Sequence, residues 1–268
     1  MLGRKAFWKS RNQDNTPRQD RRLDRNVGDC TPRSFRARPG KHDGGVPQGG
    51  GAGGDVIETD LQLSRDAHFV AIHDGTVNRT TNGRGSVHDL TLVELRELDA
   101  GSWFGSEFSG ERIPTLEEIL QFSKKNDVVF YLEMKPSGAW GGEHAVIAAL
   151  RESGEIPRAV LISFDASMVL NVHSIEPTVM TGLLYDGQLE KPVEKAVEIG
   201  ARQLAVRGDL VTPALLEQAR KKDLQVVCWT INQPAHMRLL IEAGVQGIMS
   251  DYPDRVVAAL KKESETVL

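Results

Sequence analysis

Cysteine is scarce in this 268-residue chain, which has only Cys30 and Cys228. Two thiols cannot build a disulfide framework, and so low a number fits a reducing compartment. Long apolar runs are missing too. None approaches the ~20 residues of a bilayer span, so no integral membrane association is expected. The opening MLGRKAFWKSRNQDN is basic but lacks the ~7–15-residue apolar stretch of a secretory signal, and a cytoplasmic location is expected. The formal charge is only -4, so neither nucleic acid nor an anionic membrane surface is implied as a partner. What is present is ordinary: 40% hydrophobic and 26% charged residues, enough for a soluble chain with a sizeable core.

That average hides a division. Residues 1–54 carry 12 Lys/Arg against 5 Asp, a net +7 that leaves -11 for residues 55–268. The charge of this opening segment comes with no helical face and no aromatic interleaving, which a nucleic-acid-binding arm would need. From Asp55 the character changes. DVIETDLQL alternates as a strand should, and after the short turn SRDAH the segment FVAIHD reads as a second strand. Five residues cannot make a parallel crossover, so the two form a hairpin. A polar, Gly-rich excursion follows at about 75–113, with one short helix near Leu92–Leu98. TLEEILQFSKK then opens with a Thr and has a Glu three residues on, a capping box. Strands VVFYLEMK, AVLISF, VMTGLLY, RQLAV, QVVCWTI and GIMSD then alternate with helices. Such alternation predicts an α/β fold on a parallel sheet. Seven β-α units are one short of a TIM-type (β/α)8 barrel, and closure needs eight strands because an open sheet leaves two edges. The missing strand should precede Asp55.

Charged residues are sparse on these strands and paired where they occur. Glu58 and Asp60 are two apart and face one side, as do Glu133 and Lys135. Such pairs arise as ion-paired solvent-facing positions, or they are buried because a cation or substrate compensates them. Three carboxylates suit a hard cation with oxygen ligands, Mg2+ or Ca2+. Barrel enzymes gather functional groups at the C-terminal ends of their strands, where both pairs fall. His73 closes the returning arm of the hairpin and would arrive beside Glu58 and Asp60, placed to serve as a general acid for a leaving alkoxide. Trp229 ends a late strand, either as core or as an apolar wall for a substrate.

The run IETDLQLSRDAHFVAIHDGTVNRTTNGRGSVHDLTLVELRELDAGSWFG, with IPTLEEIL, YLEMK, CWTIN and IMSDYPD, resembles the glycerophosphodiester phosphodiesterase family from Asp55 to about Lys262. The resemblance implies a TIM-type barrel and hydrolysis of small glycerophosphodiesters to glycerol 3-phosphate and an alcohol. It also implies Glu58, Asp60 and Glu133 as ligands of one divalent cation, His73 as one of two catalytic histidines, and Lys135 near the substrate phosphate. A lysophospholipase D-like activity is the neighbouring alternative. Another is a barrel that binds phosphodiesters without turning them over.

One departure is large. The family opens with a strand ending in His-Arg-Gly, followed by Glu-Asn-Thr and a helix, and the chain has neither motif. His42 is followed by Asp43, and only 15 residues separate it from Glu58. Read one base later, however, codons permitted for Thr31-Pro32-Arg33 spell His-Arg-Gly, and those for Pro39 to Asp43 spell Pro-Glu-Asn-Thr-Met. The segment 1–54 is therefore expected to be an out-of-frame stretch ahead of a barrel domain at 55–268, and its basic charge needs no function. A chain without the first strand and the second histidine is expected to turn over weakly.

Overall fold

The computed structural model of the chain describes residues 56–136 and 142–266, with the side chains of the last helix described as far as residue 260. The opening segment 1–54, with its alternative reading frame, lies outside the described residues.

Strand β1 (Val56–Leu63) runs into a tight turn and returns as β2 (Phe69–Ala71), antiparallel, with Leu61 opposite Ala71 and Leu63 opposite Phe69. Ser64 shapes the turn: its hydroxyl bonds the Asp66 carboxylate at 2.7 Å and accepts from the His68 amide at 2.9 Å. The returning arm is shorter than FVAIHD suggests. The Ile72 amide still donates to the Asp60 carbonyl, but beyond it the chain leaves the sheet. The excursion that follows contains α1 (Leu92–Glu97) and closes over its own apolar cluster, which includes Val77, Val87, Leu95 and Ile113. Helix α2 (Leu116–Asn126) starts on the expected capping box, with Thr115 and Glu118 bonding each other's backbone.

Strand and helix then alternate: β3 (Val129–Met134), α3 (Gly142–Ser153), β4 (Ala159–Ser163), α4 (Ala166–Ile175), β5 (Met180–Tyr185) and α5 (Pro192–Glu198). The series ends with β6 (Gln203–Arg207), α6 (Pro213–Lys221), β7 (Gln225–Trp229), α7 (Pro234–Glu242), β8 (Gly247–Ile248) and α8 (Pro253–Thr266). These elements form one eight-stranded sheet in the order β2-β1-β3-β4-β5-β6-β7-β8, parallel throughout except for β2. Alternate residues of each strand face opposite layers. Val56, Tyr131, Ile162, Leu184, Ala205 and Val227 meet inside the curl, while Phe130, Leu132, Leu161, Leu204 and Val226 pack outward in the clusters shared with the helices. The architecture is that of a TIM-type α/β barrel, open between β8 and β1 among the described residues. Among the described residues no ladder joins β8 to β1, and β1 has no strand partner on the side away from β3 over Val56–Thr59. A first barrel strand would stand there.

The last strand is two residues rather than GIMSD. After Met249 donates to the Cys228 carbonyl, side chains take over from the ladder: Asn232 accepts from Ser250 and from the Asp251 amide and donates to the Asp251 carboxylate. No helix among the described residues is long and apolar enough to cross a membrane.

Candidate active site

The parallel pairing of β1 with β3 sets Asp60 directly beside Glu133 and Glu58 beside Tyr131. All four share the inner face, so the two sequence-distant acidic motifs converge. One carboxylate oxygen each from Glu58, Asp60 and Glu133 lies within 4.8 Å of the others, and the three residues are at most 6% exposed. Three carboxylates so close and so dry repel one another unless cations offset them. Lys135 supplies one positive charge: its Nζ lies 2.9 Å from Asp60 Oδ1 and also contacts Glu133. Burial pushes the Glu133 carboxyl above the usual range, with Asp60 adding to the rise and Lys135 opposing it. Burial works against the Lys135 charge, but the carboxylates of Glu133 and Asp60 outweigh it and hold its pKa above the ordinary value. Three carboxylates, all oxygen donors, against one ammonium make a cluster that could hold a hard divalent cation.

His73 stands at the end of the returning arm. Its carbonyl accepts from the buried Gln62 amide at 3.2 Å, and its Nδ1 lies 2.8 Å from Asp74 Oδ1. The ring itself is exposed. Across the sheet Trp229 donates its indole N–H to the Ala205 carbonyl at 2.8 Å. Phe164 meets it edge-on, with centroids 5.6 Å apart and planes at 86°, a favourable aromatic geometry. Trp229 thus has a core partner below and, in Phe164, an aromatic neighbour that is 42% exposed.

Sequence reading passed over Phe164, Gln62 and Arg79. The first two had a signal. Phe164 continues the inward alternation Val160, Ile162 past the end of β4, and Gln62 continues Glu58, Asp60 along β1. Arg79 had none, because it lies in the Gly-rich excursion where no periodicity assigns a direction.

Residues 48–255 match the glycerophosphoryl diester phosphodiesterase family. A glycerophosphodiester phosphodiesterase of Caldanaerobacter subterraneus subsp. tengcongensis is 37% identical over 212 residues, 78% of this chain and 87% of its own length. One from Bacillus subtilis is 33% identical, covering 75% of this chain and 74% of its own. Among solved structures, an Oleispira antarctica phosphodiesterase in complex with the product sn-glycerol-3-phosphate superimposes with a TM-score of 0.69 at 27% identity, over 76% of this chain and 84% of that one. A glycerophosphodiester phosphodiesterase from Agrobacterium tumefaciens gives a TM-score of 0.67 at 28% identity, over 77% and 87%.

Proposed function

The chain belongs to the glycerophosphoryl diester phosphodiesterase family, and on that premise we propose that its barrel domain hydrolyses small glycerophosphodiesters to glycerol 3-phosphate and an alcohol, with one divalent cation at Glu58, Asp60 and Glu133. The observation that carries this is the convergence of those three buried carboxylates with Lys135 on neighbouring parallel strands. When bound, Mg2+ or Ca2+ would polarise the phosphoryl oxygen and offset its growing charge. Lys135, with its ammonium already among the carboxylates, would offer its positive charge to the substrate phosphate. With both ring nitrogens protonated, His73 donates its Nε2 proton to the departing alkoxide as the attacking oxygen bonds to phosphorus and displaces it, keeping the proton on Nδ1. Trp229, with Phe164 against it, forms an apolar wall for the alcohol part.

Residues 55–268 form the catalytic domain, with 75–113 inserted in it, and residues 1–54 are an out-of-frame segment. The frame reading rests on the two motifs that the next frame can spell in order, and the start of β1 has an edge without a strand partner among the described residues, where a first strand would pair. The chain as it stands lacks one catalytic histidine, and loss of one general acid or base typically costs ~10²–10⁴-fold.

The test measures glycerol 3-phosphate release from glycerophosphocholine with Mg2+ or Ca2+. Assays cover the chain as it stands, a version with one base restored ahead of codon 55, and Glu58→Gln in each. The restored chain should be active only with the cation, the original far weaker, and the Glu58 variants inactive. A folded restored chain without activity, or a Glu58 variant that keeps it, would overturn the assignment. The nucleotide sequence across codons 28–56 decides the frame: if the next frame does not spell His-Arg-Gly and Glu-Asn-Thr, the segment is a divergent arm.

A further inference from the structure

We propose that Arg79 is a positioning residue for His73, acting through Asp74 to fix which ring nitrogen carries the proton and where the other one points. The role of His73 rests on the function proposed above, but the orienting of its ring does not.

Arg79 grips Asp74 with two parallel bonds, Nε to Oδ2 at 2.7 Å and Nη2 to Oδ1 at 2.8 Å. The same Oδ1 lies 2.8 Å from His73 Nδ1. The Arg79 hydrogen bonds outweigh the opposing effect of burial, and with His73 they hold the Asp74 carboxyl well below the usual carboxylate range. Asp74 is therefore an anion that can only accept, so His73 Nδ1 must donate. That leaves Nε2 as the nitrogen that exchanges protons with a substrate. A fork-to-carboxylate pair fixes a plane as well as a distance, so Arg79 sets the direction from which Asp74 meets the ring.

The rest of the neighbourhood is built to hold this line. Gln62 fixes the His73 carbonyl, and the Ile72 amide is tied to Asp60. Arg79 itself sits on a folded loop rather than a loose one. Thr76 bridges Ser86, the Val77 amide donates to Gly85, and Asn78 accepts from the Gly85 amide at 2.8 Å. Val77 is fully buried in the apolar cluster of the excursion. The Gly-rich stretch between the hairpin and α1 therefore presents one guanidinium to the carboxylate behind the histidine. The hydrogen bonds of Arg79 go to Asp74, not to the carboxylates of Glu58, Asp60 and Glu133.

The primary test needs no turnover. Imidazole 15N–1H correlation spectra of the full chain, with His73 assigned by its loss in His73→Ala, report the tautomer directly. The intact chain should show the Nδ1–H form. Asp74→Asn should release it toward the Nε2–H form that a free histidine side chain prefers in water, Arg79→Gln should do so in part, and Arg79→Lys should fall between. An unchanged His73 tautomer in Arg79→Gln, beside a changed one in Asp74→Asn, would overturn the proposal. In whichever form of the chain is active, Arg79→Gln should lower kcat for the choline diester roughly 10-fold, a fraction of the ~10²–10⁴ a general acid supplies. Its KM should be little changed. The p-nitrophenyl diester, whose leaving group needs no proton, should fall by less than about 3-fold if protonation is the affected step. Equal loss on both esters would also overturn it. If His73→Ala itself ignores the leaving group, the acid role of His73 fails instead, and the tautomer result still decides Arg79.

Discussion

The ammonium of Lys135 lies 2.9 Å from Asp60 Oδ1, reaching from β3 across to β1, while also contacting Glu133 on its own strand. One side chain thus neutralises part of an acidic cluster drawn from two strands. Removing it as Lys135→Met should destabilise the cation-free chain by about 3–5 kcal/mol, the usual cost of breaking a buried pair. Millimolar Mg2+ or Ca2+ should recover more of the melting temperature in the variant than it adds to the unaltered chain, because the variant has more uncompensated charge to offset. Equal thermal shifts in both proteins would argue against a cation at this cluster.

A second expectation concerns the excursion. A Cβ on Gly101 would lie 1.8 Å from the Phe108 carbonyl oxygen and 2.9 Å from the Glu111 Cβ. The Asp99 carboxylate organises the same loop by accepting from the amides of Gly101, Ser102 and Gly110. Gly101→Ala should therefore cost about 1–3 kcal/mol, as overpacking does, and should speed amide exchange across residues 99–113 before the barrel strands respond. Unchanged exchange there would show that the loop absorbs a methyl group.

The buried thiol of Cys228 makes a pH prediction. Burial raises its pKa from 9.0 to about 12. Between those values the folded chain keeps a proton that the unfolded chain has lost, so stability is full below pH 9 and falls as pH rises. The slope approaches about 1.4 kcal/mol per pH unit for a single group. Comparing Cys228→Val with its parent in a Cys30→Ser background, by denaturant unfolding from pH 8 to pH 11, isolates this term. The parent should lose more stability than the variant over that range, and parallel curves would disprove it.

Much of the candidate site is legible in the sequence. The spacing in Glu58–Asp60 and Glu133–Lys135 identifies paired charges on one strand face, since the strand repeat is two. The capping box at Thr115 and the five-residue turn before Phe69 are local codes, set by backbone geometry within a few residues. Family motifs after Asp55 added the likeness to a known hydrolase. The strand count, seven with one expected, also came from the chain alone.

Other features depend on contacts between residues far apart in the chain. Nothing along the sequence says that Asp60 pairs with Glu133 rather than with another inward position, because register is a property of two strands. The end of β8 after two residues follows from Asn232, 15 residues upstream of Gly247, taking the hydrogen bonds a longer ladder would use. Arg79 is the plainest case. Its loop has no period to give it a direction; the burial of Val77, the bridge between Thr76 and Ser86 and the hydrogen bonds to Gly85 turn it toward Asp74. Local sequence determined the elements and the chemistry they carry; packing decided which of those groups meet.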